Sequence, residues 1–163
     1  MGQREMIFTI GAIILFSINT LTINRLGLVQ STATTNQQVE FYAVNLAQRF
    51  IEEAKTRAFD ENVINATPVA LPDGFTDPPL GPGGGESYPN FDDVDDFNGL
   101  NLAVPTRMDS MTVTVTVDYV SEANLDSVVT NKTFFKRMRV QVRSPYLNRP
   151  MQASYVFAFQ RNW

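Results

Sequence analysis

From Met6 to Ile23 the chain reads MIFTIGAIILFSINTLTI, with no charge and only Thr, Ser and Asn as polar residues. A helix that crosses a bilayer needs about 20 mainly apolar residues, so the run is at the short edge of a span. A core helix apolar on every side would need a large protein around it, and the remaining chain is small. A secretory signal should end in a small-residue cleavage site, whereas TLTINRLGLVQS continues without one. Membrane insertion, or burial among copies of the same chain, is the reading that fits.

After Arg25 the pattern becomes amphipathic. Between Val39 and Ala58 the apolar positions Val39, Ala43, Leu46, Phe50 and Ala54 recur at spacings of three and four, with Ala47 and Ile51 widening the stripe. Glu40, Asn45, Gln48, Arg49, Glu52, Glu53 and Lys55 cover the other side, as on a helix with one face on a core. No Pro precedes residue 68. One continuous helix over about 4–59 is therefore expected, on the order of 80 Å long, with its first half projecting. Asn19, Thr20, Thr22 and Asn24 are poor helix formers and should soften it locally.

Farther on the period changes to two. MTVTVTVDYV (111–120) alternates strictly, TFFKRMRVQVR (133–143) alternates with Lys136 as the exception on its apolar face, and MQASYVFAFQ (151–160) alternates again. These segments predict a three-stranded antiparallel meander, whose apolar face the 39–58 stripe would cover. The expected architecture is α+β: a long N-terminal α-helix over 1–59 with a membrane or filament-core segment at 6–24, a connector over 60–110, and a small antiparallel β-sheet head over 111–163.

The connector holds seven of nine Pro and six of nine Gly, and DPPLGPGGGESYP can continue neither a helix nor an internal strand. Charge follows the same partition. Residues 1–59 carry a net +1, residues 60–110 a net −9, and residues 111–163 a net +4. The overall net of −4 does not point to a nucleic-acid partner. Cys and His are both absent, which removes disulfides, thiol chemistry, the commonest acid–base group and most zinc ligand sets. The glycine-rich GPGGGE has no strand before it and no helix after it, so it is not a phosphate loop. A structural role is expected rather than an enzyme.

Within FDDVDDFNGL, four carboxylates (Asp92, Asp93, Asp95 and Asp96) crowd with Asn98 beside Gly99. They are candidate oxygen ligands for calcium, although Phe97 stands where an EF-hand would need an oxygen. The alternative is a solvated acidic loop, or one neutralised by Arg137, Arg139 and Arg143 on the reverse face of the sheet, within one molecule or between neighbours. The triplets NAT at Asn65 and NKT at Asn131 are glycosylation sequons if the domain is exported.

An apolar N-terminal helix running into an amphipathic half, a connector and a small antiparallel sheet resembles the type IV pilin and pseudopilin family. Glu5, followed by MIFTIGAIILF, is similar to that family's glutamate at the fifth position of an apolar segment. FDDVDDFNG is similar to a stretch of minor pilin-like proteins of the mannose-sensitive pilus type. The chain departs from the family at Gln3 and Arg4, and in lacking a Pro near residue 22. The resemblance implies a pilin-like fold and a homopolymer of identical subunits, held in the inner membrane before assembly. Pilus or secretion machinery would then pack them into an extracellular filament or a periplasmic pseudopilus. It also implies that Glu5 pairs with the amine of Met1 on an adjacent copy. The remaining alternative is a single-span membrane protein whose globular part binds a partner without polymerising.

Overall fold

In the computed structural model, residues 2–64, 72–106 and 110–159 are described. Two compact units divide the chain, Met1–Val39 and Glu40–Trp163. A single helix, α1 (Gln3–Lys55), runs through residues of both. The fold is α+β: a long apolar N-terminal helix followed by a four-stranded antiparallel sheet.

In the first unit, Gln3–Gln30 forms a helix long and apolar enough to cross a membrane, with none of its most apolar window buried. Its polar side chains look after themselves. Thr9, Ser17, Thr20 and Thr22 each donate to the carbonyl four residues back, as does the Asn19 amide to Leu15. Hydroxyls satisfied this way carry no unpaired donor into an apolar surrounding. The softening expected at 19–24 is absent, because those bonds lie within the helix and leave its backbone ladder intact.

In the second unit, α1 continues to Lys55 rather than to residue 59. Ala43, Ala47, Phe50, Ile51 and Ala54 are buried, and their spacing is the stripe read from the sequence. Small residues at 43, 47 and 54 let a helix approach closely. Tyr42, Leu46 and Arg49 from α1 share a groove of about 280 Å³ with Val104, Pro105 and Met111 from the sheet. At the other side of the sheet, the Lys55 ammonium lies 4.3 Å from the Tyr155 ring centroid.

The sheet has the order β1 (Asn101–Pro105), β2 (Ser110–Tyr119), β3 (Phe135–Arg143) and β4 (Met151–Ala158), all neighbours antiparallel. Met111, Val113, Val115, Val117 and Tyr119 of β2 face the core, as do Met138, Val140 and Val142 of β3. The strand missing from the sequence expectation is β1. It lies at the edge, where Pro105 is tolerated because an outer N–H is not needed.

Residues 72–100 are not a loose connector. Phe75, Leu80, Phe91, Val94 and Phe97 are buried. A chain of ring contacts runs Phe50–Tyr88–Phe91–Phe97. Apolar side chains spaced among Pro and Gly thus dock an irregular segment onto the core without regular backbone pairing.

Candidate functional site

The Asp-rich segment binds the fold together. Its backbone meets the end of α1 through Ala58 N–H to Asp92 O and Val94 N–H to Ala58 O, both 3.0 Å. Phe91, Val94 and Phe97 anchor it in the core. Asp93 Oδ1 accepts the N–H groups of Asp95 at 2.6 Å and Asp96 at 3.1 Å. Asp96 Oδ2 accepts those of Asp92 at 3.0 Å and Asp93 at 3.3 Å. Asp93 thus takes the first two N–H groups of a short 3-10 turn, Asp95–Phe97, and Asp96 reaches back to the N–H groups of the residues before it. Asn98 Oδ1 accepts the Val117 N–H at 2.9 Å, while its amide donates to Leu80 O at 2.7 Å. Gly99 then turns the chain into β1 with φ +82°, a conformation that favours glycine.

This geometry does not suit a calcium loop, which must turn its oxygens toward one point. Of the proposed ligands, Asp93, Asp96 and Asn98 spend side-chain oxygens on backbone N–H groups, and Asp95 meets a lysine. Only Asp92 is exposed. Among the described residues, the carboxylates close enough to share a hard cation are Glu61, Glu86 and Asp92, with one oxygen from each within 4.8 Å of the others. Burial and the neighbouring charges of Asp96, Asp92 and Glu61 push the Glu86 carboxyl up.

The cation that answers the acidic segment is Lys136, not an arginine. It breaks the apolar alternation of β3, and its side chain is fully buried. Nζ donates to Phe59 O at 2.9 Å and to Asp60 Oδ2 at 2.7 Å. It also lies 2.6 Å from Asp95 Oδ1 and 2.8 Å from Asp95 Oδ2. The rings of Phe59, Tyr119 and Phe75 surround it, with centroids at 4.5, 5.1 and 5.8 Å. Charges so buried must be paired.

The two acids differ. Asp60 also accepts from the Thr76 and Asn62 backbones and the Thr76 hydroxyl, while the Tyr119 hydroxyl donates to Thr76 O at 2.9 Å and lies 3.3 Å from Asp60 Oδ2. Burial works to raise the Asp60 pKa, but the Lys136 charge and hydrogen bond, with the Thr76 and Asn62 N–H groups, win and hold it below the usual range. Burial pushes Asp95 up to about 7 against the pull of Lys136, helped by Asp93 and Asp60. Burial and the Asp96 charge push Asp93 to about 7 as well.

The arginines go elsewhere. Arg137 donates to Asp126 O at 2.9 Å and lies 3.4 Å from the Asp126 carboxylate. Arg143 Nε donates to Gln141 Oε1, and Arg139 sits opposite Thr116 and Ser154 in the sheet register. The expected pairing with Asp92–Asp96 inside one molecule is corrected accordingly.

At the head of α1, the exposed Glu5 carboxylate accepts the Gly2 N–H of its own chain at 3.0 Å, closing the first helical turn. No Arg4–Glu5 ion pair forms among the described residues. Met1 lies outside the described residues, as does the sequon at Asn65, while Asn131 is exposed.

Asp60, Thr76 and Tyr119 were not singled out from sequence. Lys136 was, as an interruption of an apolar face, and a buried lysine of that kind demands acidic partners. No family model, curated protein or solved structure matches the chain.

Proposed function

We propose that the chain is a structural subunit of a type IV pilus-like filament, anchored in a membrane by its N-terminal helix and polymerising through it. The observation that carries the reading is the Gln3–Gln30 segment, uncharged from Met6 to Ile23 and with none of its most apolar window buried within its own chain. Exposed apolar surface of that extent calls for lipid or other helices. Supporting it, a lone carboxylate, Glu5, stands at the head of the span. One of its oxygens takes the Gly2 N–H of its own chain, and in a bundle of identical helices a polar contact at this point would fix the register. The globular unit carries Arg139 and Arg143 on the sheet face opposite the core, where contacts with neighbours would form.

A second reading is a single-span protein that binds a partner and does not polymerise. The groove between Tyr42, Leu46, Val104 and Met111 favours it.

Material sheared from producing cells distinguishes the two. Filaments containing this polypeptide, lost on Glu5→Ala with the chain still in the membrane fraction, are the expected outcome. A chain found only in membranes, with no filaments to lose, overturns the polymerisation reading in favour of the anchored binder.

A further inference from the structure

We propose that Lys136 and Asp95 become joined after folding by an intramolecular isopeptide bond from Nζ to Cγ, with Asp60 as the base. This rests on the globular unit alone and is independent of the filament reading.

Three observations converge. First, Nζ lies 2.6 and 2.8 Å from the two oxygens of one carboxylate. Those two lengths put their shared carbon roughly 3 Å from the nitrogen, a near-attack separation. Second, the two acids beside Nζ are unlike. Asp60 is held toward the anion by Thr76 and Asn62 as well as by Lys136. Asp95 has only Lys136 as a hydrogen-bond donor to its carboxylate among the described residues, and its raised pKa favours the acid form. An amine attacks a carboxylic acid far more readily than a carboxylate, so the protonated partner is the electrophile and the anionic one the base. Third, Lys136 and Asp60 are fully buried, and the three rings of Phe59, Tyr119 and Phe75 close round the nitrogen. Such a site excludes competing water and holds both reactants at high effective concentration.

The step balances without any co-reactant. Asp60 takes one proton from the Lys136 ammonium, and the freed lone pair forms the N–C bond at Asp95 Cγ. The C–O bond to the Asp95 hydroxyl breaks, and that hydroxyl leaves as water with the second Nζ proton. The third stays as the amide N–H, and Asp60 retains the proton it took. Both charges of the buried pair disappear, so the desolvation cost of the ion pair disappears with them.

The bond would close the 41 residues separating Asp95 from Lys136. A chain without cysteine has no disulfide with which to lock its head. A covalent tie between the Asp-rich segment and the central strand β3 supplies the same restraint against unfolding.

The test is peptide mapping by tandem mass spectrometry of the full-length wild-type chain, purified in detergent and denatured before digestion. The expected result is one branched peptide joining the Asp95 and Lys136 segments, lighter than their sum by one water. The separate linear peptides should be depleted at least tenfold. Asp95→Ala should yield only linear peptides. Asp60→Asn keeps both reactants, and should slow closure at least tenfold when the chain is refolded and sampled over time. Fully linear peptides from folded wild-type chain overturn the proposal, and closure of Asp60→Asn at the wild-type rate removes Asp60 from the step.

Discussion

Asp93 and Asp96 cap each other: Asp93 Oδ1 accepts the Asp96 N–H at 3.1 Å, and Asp96 Oδ2 accepts the Asp93 N–H at 3.3 Å. Reciprocal acceptance lets two acids sit side by side in the core at the end of α1, and it makes the head sensitive to pH. Burial, with the Asp96 charge, raises the Asp93 pKa from 3.8 to about 7. Between those values the folded state binds more protons than the unfolded chain, so stability falls as pH rises and levels off above about 7. Asp60 acts oppositely. While Lys136 is still an ammonium, the Asp60 pKa lies below 3.8, so its contribution is present above that value and lost as pH drops through the folded pKa. Denaturant midpoints of the full chain in detergent should be higher at pH 5 than at pH 8, by on the order of 2 kcal/mol. Asp93→Asn keeps the acceptor for both N–H groups and should reduce that dependence, leaving the share of any Asp95 that still carries a free carboxyl. An unchanged slope would remove Asp93 as its source.

Replacing Lys136 with Met preserves most of the volume but strands Asp60 and Asp95 in the core. Removing one partner of a fully buried pair costs about 3–5 kcal/mol. Thermal unfolding followed by near-ultraviolet circular dichroism should show a large fall in Tm. The triple change Lys136→Met, Asp60→Asn, Asp95→Asn should recover the part due to stranded charge, while the part contributed by the Lys136–Asp95 tie stays lost.

Asn98 works as a piece of β-strand made from a side chain. With Leu100 O accepting the Val115 N–H, its Oδ1 supplies the next acceptor along β2, to Val117. Asn98→Ala leaves that N–H and the Leu80 carbonyl without their partners and should cost about 1–3 kcal/mol. Amide exchange at Val117 should accelerate with it. Asn98→Asp keeps the acceptor but turns an oxygen toward Leu80 O, so it should not rescue.

Gly99 has open space where a side-chain methyl would stand but a φ of +82°, so the cost of a side chain there is backbone strain alone. Gly99→Val should destabilise by about 1–2 kcal/mol, and Gly99→Asn by less, since Asn tolerates the left-handed region. Equal denaturant midpoints for the two variants would locate the cost in packing instead.

Much of the fold is legible along the chain because it follows from periodicity. The apolar run at 6–23, the stripe at Ala43, Ala47, Phe50 and Ala54, and the alternation of β2 and β3 each state which face is buried. Where the period fails, the reading failed with it. NLAVP is too short to alternate convincingly, and β1 exists because β2 offers it an edge. FDDVDDFNG reads as a cluster of charges, yet Asp93, Asp96 and Asn98 serve as acceptors for backbone that regular structure leaves unpaired. Asp60 and Lys136 are 76 residues apart, and no local pattern connects them.

The amino-acid order by itself determined a helix that cannot be buried by its own chain, an amphipathic continuation and a twisted antiparallel sheet. Those depend on hydrophobic spacing, which is a local property. Only the tertiary structure decided what the acids do. The energy of a carboxylate depends on burial and on the groups within a few ångströms, and folding, not sequence neighbourhood, brings Lys136 to Asp60 and Asp95.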